Sequence, residues 1–310
     1  MPDEKKPDPE AIREAEEAGL VFSEDGKTHL EWCHNKAIKE AVIPDGVTVI
    51  EEEAFYECPS LTGVKIPGSV TAIEAWAFHG CSGLSGVNIP GGVTTIGEEA
   101  FYECSNLTCI TIPGSVTAIG DGAFAGVRRI ESNNADFPVD DFGALIDLKR
   151  RKLLYVPPLL SNYSIPDGVT GIGACAFFGC SRLTGMKIPG GVTGIEYGTF
   201  SGCSELSGVE IPDGVSKTGP EAFSGCSKLT CVKIPDGVTE IGWGAFFRCS
   251  KLTGVKIPDS VKKIGRSAFR GCSALTGVKI PGSVTQIAAD AFEGAGCEEQ
   301  VKRDCPRLFK

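Results

Sequence analysis

Apolar positions in this chain return with a long period. The stretch from Ile234 to Lys256, IPDGVTEIGWGAFFRCSKLTGVK, is 23 residues long, and nearly the same string recurs along most of the sequence. Ile-Pro pairs set the register, with Ile at 43, 66, 89, 112, 165, 188, 211, 234, 257 and 280. Every interval is 23 residues except one of 53, which is one repeat plus 30. Phenylalanine keeps step from Phe55 to Phe292, and cysteine does so at Cys58, Cys81, Cys104, Cys180, Cys203, Cys226, Cys249 and Cys272. A fixed period of this size marks stacked units, none of which can bury its own apolar face alone.

Each unit has a physical reading. In L-x-x-V-x-I, carried by Leu252, Val255 and Ile257, the alternation predicts a short strand, with Val255 and Ile257 inward and Gly254 and Lys256 outward. Pro258 cannot donate to a ladder and ends it. The Pro-Asp-Gly and Pro-Gly-Ser variants form turns. V-T-x-I-G follows, apolar at Val238 and Ile241, and then a compact segment carries Ala245 and Phe246. Stacking then places each Phe on the Phe of the next turn at roughly 4.7–4.9 Å.

The pattern C-x-x-L-x-x-V-x-I-P-x-x-V-x-x-I-x-x-x-A-F is met in full by Cys249, Leu252, Val255, Ile257, Pro258, Val261, Ile264, Ala268 and Phe269. It resembles the BspA-like, treponemal-type leucine-rich repeats over most of residues 43–295. The Asn of the common leucine-rich repeat is missing, so this is the Pro-containing variant. The resemblance implies a leucine-rich-repeat solenoid with short parallel β-strands, turns and short helical segments. It also implies a non-enzymatic role in protein binding or adhesion to host or matrix protein at a cell surface. An intracellular interaction scaffold is the alternative, and an enzyme the third.

Taken in order, residues 1–42 are expected to form an N-terminal cap. Residues 1–8 are charged and expected to be loose. Asp8-Pro9-Glu10 reads as a helix start, giving a helix over Pro9 to Ala18 that Gly19 stops. Residues 20–33 read as a hairpin around Asp25-Gly26. Four units fill residues 43–129 and six fill 165–295. The insert at 130–164 repeats the hairpin, since Gly143-ALIDLKRRKLLYV aligns with Gly19-LVFSEDGKTHLEW at an offset of 124. A continuous solenoid with a protruding hairpin is expected, against a rival picture of two arrays joined by a hinge. The unit at Ile211 is the weakest, with Thr218 where Ile belongs and Pro220 after it. Residues 296–310 are expected to cap the last unit.

Composition narrows the function classes. With 310 residues and 42% hydrophobic content, the chain can bury a large core, and the repeats override any count of compact domains. A formal charge of −10 argues against nucleic acid. No run of 18 apolar residues predicts a membrane span. The start MPDEKKPDPE lacks the apolar region of a signal peptide, which places the chain as written in the cytoplasm unless a leader precedes it. The column cysteines read as buried reduced thiols, because a parallel ladder of side chains rarely offers disulfide geometry. Cys109 and Cys231, replacing an outward Gly, are expected to face solvent.

No motif points to a cofactor, and no catalytic constellation stands out. His29, Cys33, His34 and His79 match no zinc spacing. There is no G-x-S-x-G elbow and no phosphate-binding loop. Two outward columns are the candidate binding residues. One is the strand position Lys187, Glu210, Lys233, Lys256 and Lys279, a stripe for an acidic protein surface, against the plainer reading of charges that keep an exposed sheet soluble. The other follows the core Phe and holds Tyr56, His79, Tyr102, Phe178 and Phe247, aromatic residues that serve interfaces but also pack between turns.

Overall fold

A computed structural model describes residues 6–309; the expectation for the loose N-terminus lies, for residues 1–5, outside the described residues. The chain divides into two compact units, the first ending at Leu148 and the second beginning at Lys149. No helix among the described residues is long and apolar enough to cross a membrane.

The first unit opens with helix α1, Pro9–Glu17. Asp8 caps it by accepting from the Glu10 amide at 3.0 Å, and Ile12 and Ala15 form its buried side. The helix ends at Glu17, one residue short of the expected Ala18, which is its C-cap, and Gly19 turns away with φ +103°. Strands β1, Leu20–Phe22, and β2, His29–Cys33, then form the expected antiparallel hairpin. The outer side of β2 pairs in parallel with Val49–Ile50, placing Leu30 beside Ile50. From there the sheet runs through Ala72–Ile73, Thr95–Ile96 and Ala118–Ile119, always 23 residues apart in register.

That sheet forms at V-T-x-I, a segment the sequence pattern marks only as apolar. Its Val and Ile side chains are wholly buried at Val47, Ile50, Val70 and Ile73. Its Thr residues tie successive coils together. Both the amide and the hydroxyl of Thr71 donate to the Thr48 carbonyl, and those of Thr94 to Thr71. The expected L-x-x-V-x-I strands are present but form a shorter sheet, Glu40–Val42, Gly63–Lys65 and Gly86–Val87, and a separate pair, Ile110–Ile112 with Ile130–Ser132. Here the outward Gly removes a side chain that would stiffen the strand. Burial at the inward Val is uneven: Val255, like Val64 and Val209, is half-buried, whereas Val232 and Val278 are buried, as is Ile257 beyond the strand end.

The second unit repeats the plan. Lys152–Tyr155 pairs in parallel with Gly171–Ile172, setting Leu153 beside Ile172 as Leu30 sits beside Ile50. A five-stranded ladder follows, through Gly194–Ile195, Lys217–Thr218, Glu240–Ile241, Lys263–Ile264 and Gln286–Ile287. Helix α2, Glu298–Asp304, buries Val301, and the Ile287 amide donates to the Leu308 carbonyl at 2.7 Å, so the tail covers the last coil. Thr218 is buried and in register with both Ile195 and Ile241, so the unit at Ile211 keeps its place in the ladder. Its Ile211 side chain is half-exposed, unlike Ile188 and Ile234.

The core of both units is a file of phenylalanines. Phe55, Phe78 and Phe101 stack at 5.1 Å between ring centroids, and Phe124 follows at 6.0 Å. In the second unit Phe177 to Phe292 stack at 4.9–5.4 Å, with Phe223–Phe246 tilted by only 2°. The compact segment carrying these rings is a series of turns, yet it too is bonded coil to coil. The Phe55 amide donates to Ala77, Phe78 to Ala100 and Phe246 to Ala268.

Beside the rings runs a file of thiols. Cys81 donates to the carbonyl of Phe55, one coil back, at 3.1 Å, and Cys104, Cys203, Cys226, Cys249 and Cys272 repeat this contact at 3.1–3.2 Å. A small side chain that also satisfies a carbonyl suits this position better than Ala or Val. Burial pushes the Cys81 and Cys272 thiols up to about 12, and Cys104, Cys226 and Cys249 well above their ordinary value. Cys231 is exposed as expected, whereas Cys109 is half-buried.

Three outcomes are expected. Phe246→Ala removes a ring stacked on both sides and should cost about 3–5 kcal/mol in urea unfolding; a loss under about 1 kcal/mol would show that the ring file is not the core. Thr218→Ile restores the apolar file between Ile195 and Ile241 and should raise stability by about 1 kcal/mol. The buried thiols stay protonated where unfolded ones, with a pKa near 9.0, ionise. Their stabilising contribution is complete below pH 9 and fades as pH rises toward about 12. The urea midpoint of a Cys81→Ala, Cys272→Ala variant should therefore drop less between pH 7.5 and 10 than that of the parent.

Candidate functional site

Since the interior is filled coil upon coil, the side chains available to a ligand are the outward columns. The structure treats the two expected columns differently.

In the first unit, Tyr56, His79 and Tyr102 come together. Their rings stack at 4.9 and 4.7 Å with tilts of 23° and 15°. All three are half-buried, so the rings pack between coils and remain partly open to solvent. Packing and exposure, opposed in the sequence reading, coexist. His79 Nδ1 lies 3.4 Å from a carboxylate oxygen of buried Glu99 without making a hydrogen bond. Partial burial, then the charges of Glu57, Glu53 and Glu99, hold the Tyr56 hydroxyl above its ordinary pKa.

Phe178 and Phe247 are not brought together. They lie three coils apart, with Ser201 and Ser224 at the intervening positions. Each is half-buried, and the guanidinium of Arg248 sits over the Phe247 ring at 5.0 Å.

The strand column in the second unit does form a row. Lys187 pairs in register with Glu210, and Lys233 with Lys256, and all are exposed, as is Lys279. The row is mixed in charge rather than basic: Lys233 Nζ is 2.9 Å from Asp213, and Glu210 interrupts the lysines. Two open grooves run along this face. One, of about 700 Å³, is lined by Tyr163, Met186, Lys187, Glu210 and Lys233. The other, of about 750 Å³, is lined by Asp236, Lys256, Asp259 and Lys279.

Two features of the aromatic face escape a reading of the sequence. The first is a pocket of about 300 Å³ before Tyr56, lined by Glu31, Trp32, His34, Lys36, Glu52 and Glu53. Trp32 is 53% exposed, its ring 4.7 Å from that of His34, and the Lys36 ammonium is bound to the Tyr56 carbonyl. Hairpin and first coil build this pocket jointly, which no local pattern announces.

The second is backbone conformation. The residues two before and two after each core Phe take positive φ in nearly every coil. Glycine fills the later position at Gly80, Gly126, Gly179, Gly202, Gly225, Gly271 and Gly294, where it costs nothing. In the first unit, glutamate stands at four of these positions: Glu53 (φ 61°), Glu57 (50°), Glu99 (50°) and Glu103 (55°). Each costs roughly 1 kcal/mol relative to glycine. The available signal was a glycine column broken by Glu in two coils.

Among the described residues, no group of three or more His, Cys, Asp or Glu side chains could hold a metal ion.

The chain matches the family model described as a BspA type leucine rich repeat region, in six copies, over residues 30–144, 154–276 and 244–302. Among solved structures it is similar to a leucine rich cell surface protein from Faecalibacterium prausnitzii, with 31% identity, a TM-score of 0.64, and coverage of 81% of this chain and 76% of that one. A leucine-rich repeat protein from Eubacterium ventriosum shares the fold at 24% identity and a TM-score of 0.62, covering 89% of this chain and 92% of that one. The pneumococcal vaccine antigen PcpA does so at 15% and 0.51, covering 94% and 97%. A comparison with curated proteins returns no match. Matched along most of its length, and built from the coils such a match requires, the chain belongs to the BspA-type leucine-rich repeat family.

Proposed function

We propose that this protein is a non-enzymatic recognition module that binds a protein partner through outward columns of its coils, and that it serves adhesion to a host or matrix protein at a cell surface. The observation that carries the reading is the presentation of exposed side chains in register on neighbouring coils. Adjacent coils hold Lys187 against Glu210 and Lys233 against Lys256 by backbone pairing, not by side-chain contact. Rows held in this way meet a partner without loss of backbone entropy. Likeness to a leucine rich cell surface protein at 31% identity supports the surface setting.

The second unit's row suits a partner surface with scattered carboxylates, since Lys256 and Lys279 border an open groove. Lys233 is already paired with Asp213, so any contact there exchanges one carboxylate for another and adds little.

The experiment is surface plasmon resonance of the whole chain over immobilised extracellular-matrix proteins. Saturable binding to one of them, weakened at least tenfold by the combined Lys187→Ser, Lys233→Ser, Lys256→Ser and Lys279→Ser variant, is expected. Binding untouched by that variant would remove the lysine row from the contact, and absence of saturable binding to every matrix protein would overturn the adhesion reading.

A further inference from the structure

Charge is divided unequally along the chain. Up to Leu148 there are 26 Asp and Glu against 9 Lys and Arg, a formal −17, and from Lys149 onward 14 against 21, a formal +7. The overall −10 therefore conceals a strongly acidic first unit.

Within that unit the acidic groups gather around the aromatic row. Glu53, Glu57 and Glu103 are exposed beside Tyr56 and Tyr102, and Glu99 lies against His79. At the open end of the row, Trp32 and Tyr56 line the 300 Å³ pocket with Glu31, Glu52 and Glu53, opposed only by Lys36 among its lining residues. Three of these exposed carboxylates sit where glycine would relieve the backbone. Fold alone does not call for Glu57 and Glu103, because seven other coils place glycine at the equivalent position; at that of Glu53, Gly122, Gly198 and Gly244 do so, while Trp76, Cys175, Glu221 and Ser267 also hold positive φ. Strain kept where a simpler residue serves elsewhere points to a use for the side chain.

From this arrangement we infer that the aromatic and acidic face of the first unit, from Trp32 to Tyr102, is a docking surface for an arginine- and lysine-rich segment of a partner protein. This rests on the reading of the chain as a recognition module and names the chemistry of one partner. The carboxylates supply charge complementarity, and the rings supply faces for cation–π contact. Arginine is favoured over lysine, because a planar guanidinium both stacks on a ring and forks to a carboxylate. The pocket takes one such side chain at the end of the row, and Glu57 and Glu103, two coils apart, meet the residues that follow.

The test is fluorescence anisotropy of a labelled deca-arginine peptide titrated with the full chain at 50 and 300 mM salt, with deca-lysine as the comparison. Saturable binding is expected, several-fold tighter for arginine and at least tenfold weaker at the higher salt. Glu53→Gly, Glu57→Gly and Glu103→Gly together should leave the melting temperature unchanged or higher and weaken binding at least tenfold. Tyr56→Ala with Tyr102→Ala should abolish the preference for arginine. The Lys187, Lys233, Lys256 and Lys279 serine variant should bind the peptide as the parent does. No binding of deca-arginine at 50 mM salt, or equal binding by the triple glycine variant, would overturn the inference. So would salt-sensitive self-association in sedimentation without peptide binding, which would put the basic second unit of another copy on this face. Peptide binding retained by a chain that ignores every matrix protein would remove the adhesion reading and leave this one standing.

Discussion

Register between neighbouring coils is the constraint on which the rest depends. A coil of 23 residues contributes two short strands and a run of turns, none stable alone. Each becomes stable only when the same residue of the next coil stands at the same height. The Thr amide and hydroxyl then find one carbonyl, the Phe amide finds the next Ala carbonyl, and the Cys thiol finds the Phe carbonyl one coil back. One insertion in a coil would break all three contacts at once. The Phe rings, stacked at about 5 Å, are a consequence of that register as much as its cause.

The periodic part of this architecture was legible because periodicity is itself the physical signal. The file of Phe223, Phe246 and Phe269, the buried Cys column and the first hairpin follow from spacing and turn chemistry. The principal sheet was harder to place. V-T-x-I and L-x-x-V-x-I both alternate, and the sequence favours the second because its Leu and Val are the more visible strand formers. The first is the longer, although a Thr or Ser amide and hydroxyl tie each coil to the last beside both ladders, as at Thr94 to Thr71 and Thr253 to Thr230. Likewise, alternation does not encode that Val255 is half-buried while Val232, one coil earlier, is buried.

The candidate site was legible in part, and the division has a cause. Columns are visible in sequence, so Tyr56 and Tyr102, and Lys233 and Lys256, were found. Neighbourhood across columns is not visible. Nothing near Lys233 in its own coil predicts that Asp213 of the coil before would hold it. Phe178 and Phe247 share a column with the stacked tyrosines yet have only Ser201 and Ser224 between them, so column membership alone does not make a patch. The positive-φ glutamates were hidden for another reason: a broken glycine column looks like tolerance until the backbone shows that every member needs a left-handed conformation.

A filled coil also limits where function can reside. Opening an enclosed pocket among stacked coils would remove a Phe or a Leu from its file and break contacts on both sides, at a cost of several kcal/mol. Outward positions carry no such penalty, and the turns that flank the core Phe accept varied side chains at about 1 kcal/mol each. Variation therefore collects in rows on the surface while the interior repeats. The first unit uses this freedom for glutamate and aromatic residues and the second for a mixed row of lysine and acidic residues, so two units built on one plan carry net charges of opposite sign. A partner that reads one of them reads charge and ring spacing set by the coil repeat, and is matched to the fold through that repeat.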